Sequence, residues 1–575
     1  MILQALTQYY EDLLALGQIS RPGWAKAKVS WALELADDGA LVGLLHLQQE
    51  VSRGKKTVIV PQEREVPQPV KRSSGVAANF LCDTSSYLLG ADEKGKPART
   101  AECFAASRVL HERLLQGVQS PAARAVLAFY ARWNPATAAV HPALQANWEE
   151  LMKGGNLLFW YGGGPVAEDA QVRACWQKGD RQEPAAEEAL CLVTGQRGPT
   201  ARLHPNIKGV AGAQSSGAAL VSFNAPAFCS YDHEQGDNAP TGEHAAFAYT
   251  TALNQLLADR EHTRRVGDTT LVCWAAGGAA VYQDFVMQSL YDDTLNEQDI
   301  LNAMRRLADG EPVEWQSQRL DPNTRFYVLG LAPNAARLSV RFFWQNTFGT
   351  LVANVERHYE RLSIVRPAYD KFSHLPVWRL LRETVNTNAR SPEPNPRLAG
   401  DLLLAILNNG LYPATLLDGV VLRIRAERDI TRGRAAILKA WYLRNSQDET
   451  LKEVMTVELN EQSNYLPYVL GRLFAVLEAI QQRANPGINT TIKDRYFNSA
   501  SATPASVFPL LINLAQKHMA KLDKGLSGYF DRQIREMNAR IDQTLPARLT
   551  LPEQSAFQIG YYHETQKRYA KKEEI

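Results

Sequence analysis

The pattern of hydrophobic and polar positions changes about two-thirds of the way along the chain. Before residue 385, short apolar runs of strand type, such as residues 156–163 and 269–275, alternate with segments whose apolar positions recur at helical spacing, such as residues 242–262. After residue 400 the strand-type runs disappear, and helical spacing continues to about residue 543. The pattern predicts an α+β fold, with a mixed α+β N-terminal body followed by an all-α C-terminal helical bundle.

A proline-rich segment separates the two regions. Residues 386–400 place prolines at three alternate positions, which is typical of a linker. We therefore expect an α+β body over residues 1–385, a linker over 386–400, a basic helical connector over 401–454 and a helical-bundle domain over 455–575. A second local prediction is a β-hairpin, because two strand-type runs flank Pro333 and Asn334.

Composition and charge narrow the class of protein. Of the 575 residues, 45% are hydrophobic and 22% are charged, as in ordinary globular proteins, and the formal net charge is +2. Because the balance is nearly neutral, any contact with nucleic acid has to come from local cationic patches. The six cysteines are scattered without a CxxC pair, which argues against a disulfide framework and a structural zinc site.

The sequence lacks the features of a membrane span or a secretory signal. No run approaches the roughly 18 apolar residues that a spanning helix needs. The N-terminal stretch carries Glu11 and Asp12 where a signal sequence is apolar. We expect a reduced, cytoplasmic protein without a membrane partner.

A glycine-rich stretch from His204 to Pro226 reads HPNIKGVAGAQSSGAALVSFNAP. Lys208 precedes the glycines, and nearly every residue from Gly209 to Gly217 is small or carries an amide or hydroxyl. An apolar run over residues 218–223 follows and predicts a strand. Such a composition is typical of a loop whose backbone lies close to a ligand.

Three interpretations of this stretch are open. A nucleotide-dependent hydrolase that uses residues 208–217 is one alternative, but a Walker A loop has its lysine after the last glycine and a Rossmann loop leads into a helix. A surface hairpin with flexible glycines is the second. In the third, the backbone of the loop approaches a polyanion. Lys208 then contacts phosphate, and Gln214, Ser215 and Ser216 supply uncharged donors.

A second stretch, residues 69–90, has similar chemistry and reads PVKRSSGVAANFLCDTSSYLLG. The residues of interest are two adjacent cations, two hydroxyl side chains and an amide: Lys71, Arg72, Ser73, Ser74 and Asn79. Arginine recognises phosphate or guanine with its forked donors, and asparagine recognises adenine. The alternative is a solvated turn before a helix or strand.

Motifs for catalysis and metal binding are missing from the sequence. It contains no HExxH, no GxSxG and no close set of histidines and aspartates. Asp232 and His233 form a lone pair in a polar loop, which is more typical of a turn than of a ligand set. We therefore expect no catalytic residues, no metal site and no cofactor.

Cationic residues concentrate between residues 420 and 445, where aromatic side chains interleave with them. Stacking combined with phosphate contacts is a common way to bind single-stranded nucleic acid. The alternative is a solvated helix face. The candidate contacts are Arg423, Arg425, Arg432, Arg434 and Lys439.

Several long blocks of the sequence, taken in order, resemble a known family. They include VKRSSGVAANFLCDTSSYLLG, HPNIKGVAGAQSSGAALVSFNAPAFCSY, GDTTLVCWA, FYVLGLAPNAARLSVRFFW, RAAILKAWYLRN and TIKDRYFNSASATPASVFPLL. These blocks extend from about residue 65 to residue 563 and are similar to the type I-C CRISPR Cascade large subunit, the Csd-type protein.

The resemblance implies a non-catalytic subunit of a bacterial RNA-guided antiviral complex. Such subunits recognise a short protospacer-adjacent motif (PAM) in double-stranded DNA, help to unwind it, hold the displaced strand of the R-loop and recruit a helicase-nuclease. The implied partners are a guide CRISPR RNA with backbone and RNA-processing subunits. A further implied partner is the small subunit, made by internal translation of the chain's own C-terminal region. Met455 and a non-AUG codon nearby are the two candidate starts.

The resemblance also suggests roles for the two polar stretches. Lys208, Gly209, Gln214, Ser215 and Ser216 are expected near the PAM, with Lys71, Arg72 and Asn79 beside them. The cationic stretch is expected to contact the displaced strand or the DNA backbone. A purely structural subunit without direct DNA contact is the remaining alternative.

Overall fold

The computed structural model describes residues 1–53, 56–70, 75–92, 97–179, 188–291, 297–370, 372, 374–390, 392–541 and 544–569. About 49% of the chain is helical and 16% is strand. Sheets occupy the N-terminal half, and the C-terminal region is mostly helical, which confirms the predicted α+β fold. Within the described residues, no helix combines the length and apolarity needed to cross a lipid bilayer.

The chain forms two compact units. Unit 1 comprises residues 3–203 and 223–249, and unit 2 comprises residues 204–222 and 250–575. Most of the glycine-rich stretch therefore belongs to unit 2, while residues 69–90 belong to unit 1.

Unit 1 is built on a seven-stranded sheet with helices. Its strands are β1 (Trp24–Leu35), β2 (Leu41–His46), β3 (Gln48–Arg53), β4 (Lys56–Pro67), β5 (Cys82–Asp83), β6 (Asn156–Tyr161), β7 (Gly164–Pro165) and a separate pair, β8 (Glu188–Leu190) and β9 (Arg197–Pro199). Its helices are α1 (Ile2–Ala15), α2 (Ser85–Leu88), α3 (Pro97–Leu115), α4 (Pro121–Arg132), α5 (Pro142–Gln145), α6 (Trp148–Met152) and α7 (Ala170–Gly179). The helix α8 (Glu243–Ala258) contributes residues to both units.

Strand β1 is central to the sheet of unit 1, because it pairs with three other strands. Strands β2 and β4 pair with it antiparallel, and β6 pairs with it parallel. Trp31, Leu33 and Leu35 alternate along β1 and pack in one cluster with Phe129 of α4 and Phe159 of β6. The period-two burial of β1 places a large apolar face against the helices, as a half-buried strand requires.

Unit 2 combines a four-stranded antiparallel sheet with helices. Its strands are β10 (Arg264–Val266), β11 (Thr269–Ala275), β12 (Val313–Trp315), β13 (Gln318–Leu320), β14 (Arg325–Asn334) and β15 (Arg337–Thr347). Its helices are α9 (Val281–Tyr291), α10 (Glu297–Ala308), α11 (Phe348–Leu362), α12 (Val377–Arg382), α13 (Leu398–Leu407), α14 (Ala414–Glu427), α15 (Arg432–Asn445), α16 (Glu449–Glu453), α17 (Leu466–Ala484), α18 (Ile492–Ala502), α19 (Pro504–Met519), α20 (Lys524–Asn538) and α21 (Leu551–Tyr569).

The sheet of unit 2 has the order β10-β11-β14-β15. The predicted hairpin is confirmed, since β14 and β15 pair antiparallel out to Asn334 and Arg337. Ala335, in the turn between them, has a φ of 52°. Strand β11 covers residues 269–275, as its apolar run predicts, and every residue in it is buried.

Helices α17 and α21 form the centre of the C-terminal region. A Cβ atom on Gly471 would lie 1.9 Å from the carbonyl oxygen of Phe557, and one on Gly560 would lie 2.2 Å from that of Tyr468. The two glycines therefore allow backbone contact between the helices. Residues from the sheet and from these helices belong to one continuous hydrophobic core.

Candidate nucleic-acid interface

The glycine-rich loop, residues 207–218, is closed by a short antiparallel bridge. The N–H of Ile207 donates to the carbonyl of Ala218 at 2.9 Å, and the N–H of Ala218 donates to the carbonyl of Ile207 at 2.8 Å. Both side chains are buried. The two ends of the loop therefore lie side by side. Between them, Val210 is buried and Gly212 lies next to Pro333, so this part of the loop packs against unit 2.

Two side chains from neighbouring elements hold the backbone of the loop. Asn254 of α8 accepts the N–H of Lys208 at 2.7 Å and donates to the carbonyl of Asn206 at 3.1 Å. The hydroxyl of Thr270 in β11 accepts the N–H of Ala211 at 3.0 Å. Because these bonds restrain one side of the loop, it is a positioned element of unit 2.

Positive φ angles at the glycines explain their presence. Gly209 has a φ of +92° and Gly217 a φ of +97°. A Cβ on Gly217 would lie 2.8 Å from Cβ of Asn206 and 2.9 Å from the carbonyl oxygen of Ile207. Both the left-handed conformation and the lack of space therefore require glycine at position 217.

The outer part of the loop presents polar groups to solvent. Two tight turns, closed by Ala213 N–H to Val210 and by Gly217 N–H to Gln214, form its tip. The predicted contact residues in this loop are all exposed to solvent: Lys208, Gly209, Gln214, Ser215 and Ser216. One ammonium group, an amide and two hydroxyls on a thin loop can contact phosphates or base edges.

The structure corrects the expected strand after this loop. Over residues 218–223 it forms only two isolated bridges, Ile207 with Ala218 and Ala219 with Arg337. The next helical residues, Pro226–Phe228, form a single 3-10 turn. Since Walker A and Rossmann glycine loops lead directly into a helix, the loop lacks the geometry of those two phosphate-binding sites.

Of the second polar stretch, the residues Lys71, Arg72, Ser73 and Ser74 lie outside the described residues. Asn79 is half-buried in unit 1 and has two local bonds: its side-chain oxygen accepts the N–H of Val70 at 3.0 Å, and its own N–H donates to the carboxylate of Asp83 at 2.8 Å. The amide of Asn79 therefore binds the backbone at Val70, which is a structural role within unit 1.

A buried histidine holds the backbone at Leu81, two residues after Asn79. Nε2 of His111 in α3 accepts the N–H of Leu81 at 2.9 Å, and its Nδ1 donates to the carbonyl of Ser107 at 2.7 Å. Burial lowers the pKa of His111 to about 4, so the ring is neutral and can accept that bond. Leu81 itself has a φ of 57°.

Two predicted arginines of the cationic stretch are buried in ion pairs. Arg432 pairs with Asp370 at 2.9 Å. Arg434 pairs with Glu427 and, at 3.4 Å, with Glu383. Their exposed side-chain fractions are 8% and 6%. Burial argues against the expected contact of these two residues with nucleic acid, since carboxylates within unit 2 already occupy their donors.

Lys439 is buried as well. Its ammonium donates to the carbonyls of Glu360 and Arg361, at 3.4 and 2.9 Å. These carbonyls lie in the last turn of α11, where they have no i+4 partner within the helix. Burial lowers the pKa of Lys439 to about 8. Lys439 therefore caps the C-terminus of α11, and its burial argues against the expected contact with nucleic acid.

The other two predicted cations lie nearer the surface. Arg423 is half-buried and pairs with Glu427 at 3.5 Å, whereas Arg425 is exposed and donates to the side chain of Gln554 at 3.0 Å. Asn498 of α18 donates to the carbonyl of Arg425 at 2.9 Å. The exposed cationic surface therefore includes the end of α14 and part of α18.

Several residues that shape the interface were missed by the sequence interpretation. Asn254 and Thr270 position the loop, and Lys493 of α18 pairs with Asp429 at 3.2 Å next to the exposed arginines. The sequence marks the first two only as members of a helix and a strand. Among the described residues, no group of three or more histidine, cysteine, aspartate or glutamate side chains could hold a metal ion.

The fold and this loop define a protein with a positioned, glycine-rich polar loop on an α+β body. A family model described as CRISPR-associated protein (Cas_Csd1) matches residues 6–569. The chain therefore belongs to the CRISPR-associated Csd1 family, and it is a CRISPR-associated subunit of Cascade type. No curated protein matches the sequence.

Proposed function

We propose that the chain is the large subunit of a type I-C RNA-guided surveillance complex, where it recognises the PAM in double-stranded DNA. In this role it helps to separate the strands, stabilises the displaced strand and recruits a helicase-nuclease. It acts without breaking a covalent bond, because guide pairing supplies sequence specificity and a partner cuts the DNA. Its partners are the guide RNA, the backbone and RNA-processing subunits and the small subunit.

The observation that carries this proposal is the anchored, exposed loop of residues 207–218 in a member of this family. The minor groove of B-DNA is only about 6 Å wide, so a narrow turn can enter it where a helix cannot. The bonds from Asn254 and Thr270 restrain the loop before binding. Pre-positioning lowers the ordering cost of association.

The proposal is tested with Lys208→Ala and Gln214→Ala in the full chain. Binding to short duplexes with and without the PAM is measured by fluorescence anisotropy at several salt concentrations. A phosphate contact from Lys208 predicts weaker binding to both duplexes and a salt slope shallower by about one unit. A base contact from Gln214 predicts a loss of discrimination of about 1–3 kcal/mol.

Lys524→Ala is the matched control, because Lys524 is also an exposed lysine of unit 2 but lies on α20. It should bind both duplexes as the wild type does. If both loop variants also behave as the wild type, the loop has no part in PAM recognition and the proposal fails.

The hydrolase alternative has no observation in its favour. Incubating the purified chain with ATP and with labelled DNA, with and without magnesium, tests it directly. We expect no turnover of either substrate.

The C-terminal region, residues 455–575, is proposed to be produced a second time as the small subunit. The test is a tag at the C-terminus of the chain and an immunoblot for a shorter polypeptide. We expect a shorter product that copurifies with the full chain, and Met455→Leu abolishes it if Met455 is the start.

A further inference from the structure

A cleft of about 550 Å³ lies in unit 2, and none of its lining residues belongs to the glycine-rich loop. One wall is α12 with the segment before it, and the other is the turn between α14 and α15. Its lining contains two exposed aromatic rings, Tyr369 and Trp378, and four arginines, Arg379, Arg382, Arg432 and Arg434. Four carboxylates, those of Asp370, Glu383, Glu427 and Asp429, also line it. Its volume lies within the range of small-ligand sites in proteins.

The positive charges at the floor of the cleft are neutralised by carboxylates of the protein. Arg432 and Arg434 are held by Asp370 and Glu383, and the hydroxyl of Thr431 donates to Glu383 at 2.7 Å. Burial raises the pKa of Glu383, although Thr431 and Arg434 oppose that shift. The charges of Arg432 and Arg434 are therefore paired within the protein.

The rim has a different character, because it exposes aromatic faces beside cations. Tyr369 is 85% exposed and Trp378 is 39% exposed. The guanidinium of Arg379 lies 3.6 Å from the ring centre of Phe372 and 5.3 Å from that of Trp378. The planar groups of Phe372, Arg379 and Trp378 thus lie close together at the edge of an open cleft.

Arg382 is the arginine of the rim that faces solvent. It is exposed on the last turn of α12, and the described residues contain no ion-pair partner for it. Two exposed aromatic rings next to a solvent-exposed arginine are the combination with which proteins bind unpaired nucleotides, by stacking on the base and charge contact to the phosphate.

We propose that this cleft binds an unpaired nucleotide of single-stranded DNA, with the base against Trp378 and Tyr369 and the phosphate at Arg382. The identity of the ligand, the displaced DNA strand, rests on the proposed function. Arg379 positions the ring of Trp378, and the neutralised floor limits how deeply a phosphate can enter.

The test is the affinity of the full chain for a fluorescein-labelled 20-nucleotide oligothymidine, measured by anisotropy. Trp378→Ala should weaken binding about tenfold, and Trp378→Phe should stay within about threefold of the wild type, since stacking on an aromatic ring contributes roughly 1–3 kcal/mol per base. Arg382→Ala should reduce the salt slope by about 0.7, the value for one phosphate contact on a single strand.

Tyr529→Ala is the control, because Tyr529 is 45% exposed on α20 and away from the cleft lining. It should bind the oligonucleotide as the wild type does. An oligonucleotide that carries 5-iodouracil should crosslink to Tyr369 or Trp378 on irradiation, and mass spectrometry of the peptides identifies the site.

The proposals for the cleft and for the glycine-rich loop can be disproved separately. The duplex assay with Lys208→Ala tests the loop, and the single-strand assay with Trp378→Ala tests the cleft. The decisive variant carries both Trp378→Ala and Tyr369→Ala. If its urea unfolding midpoint equals that of the wild type and it still binds the oligonucleotide as the wild type does, the cleft inference is overturned. Cleft-dependent binding of RNA of matching sequence, without binding of the DNA, also overturns it.

Discussion

The glycine-rich loop and the cationic stretch of α14 and α15 suggest the same function by composition but differ in the fold. The loop carries a single lysine, and its polar side chains face solvent. The stretch carries five predicted contact residues, yet Arg432, Arg434 and Lys439 are buried. Most of the positive charge predicted for the stretch is therefore unavailable to a ligand, and only Arg423 and Arg425 of the five residues remain near the surface.

The difference shows how the partners of a charged residue decide its role. The carboxylates that hold Arg432 and Arg434 come from Asp370, Glu383 and Glu427, and two of these three lie about 50 residues or more before the arginine they meet. In the loop, the nearby polar groups bind the backbone and leave the side chains outside. The number of cations in a segment thus does not give the number available to a ligand.

The largest change in stability is expected when one buried arginine of the cationic stretch is removed. Arg434→Ala removes the guanidinium that Glu383 and Glu427 share and leaves Glu383 with only the hydroxyl of Thr431, so the free energy of unfolding should fall by about 3 kcal/mol. Urea unfolding followed by circular dichroism measures it. Arg425→Ala, at an exposed position in the same stretch, should change stability by less than about 0.5 kcal/mol. Equal effects of the two substitutions would contradict the structural role of Arg434.

The second prediction concerns the pH dependence that Lys439 imposes. Burial lowers the pKa of Lys439 to about 8, below its ordinary value of 10.5. Between these two values the unfolded chain binds more protons than the folded chain, so stability rises with pH across that window and this contribution levels off below it.

Comparison with Lys439→Met isolates this effect from other titrating groups. The stability of the wild type relative to Lys439→Met should increase by about 2–3 kcal/mol from pH 7.5 to pH 10.5, at about 1.4 kcal/mol per unit of pKa difference. Urea unfolding at each pH gives the difference. A constant difference would show that the ammonium is hydrated and free to bind a ligand, as the sequence interpretation expected.

An intermediate effect is expected in the glycine-rich loop. Gly217→Ala places a Cβ 2.8 Å from Asn206 at a φ of +97° and should cost about 1–2 kcal/mol of stability. Thermal unfolding measures this cost. Gly75→Ala is the control, because a Cβ there has open space and no positive φ. Loss of duplex binding without any loss of stability would instead place Gly217 in direct contact with DNA.

The smallest effect on stability is expected for the lysine of the loop. Lys208 is exposed, so Lys208→Ala should change the free energy of unfolding by less than about 0.5 kcal/mol. The same variant is expected to weaken duplex binding. A destabilisation as large as that of Arg434→Ala would remove the contrast between the loop and the cationic stretch.

Much of the fold could be predicted from local sequence patterns. The alternating apolar positions and the intervening turn predict the hairpin of β14 and β15, and an unbroken apolar run predicts β11. The run over residues 218–223 has the same local character but forms only isolated bridges. Strand propensity needs a neighbouring strand to pair with, and the sequence does not state where one lies.

The candidate site was predicted in part. The small and polar residues of the loop follow from its composition, and the requirement for glycine at position 217 follows from its φ angle and its close contacts. The anchors Asn254 and Thr270 could not be predicted, because a polar residue on a helix or strand gives no sign of the loop it meets.

The sequence by itself determined the α+β class, the change to helices after residue 400 and the membership of a CRISPR-associated family, since local periodicity and long residue blocks carry that information. Only the tertiary structure decided which cations remain available. The cost of burying a charge depends on the groups that surround it in space, and in this chain those groups come from segments far apart in sequence.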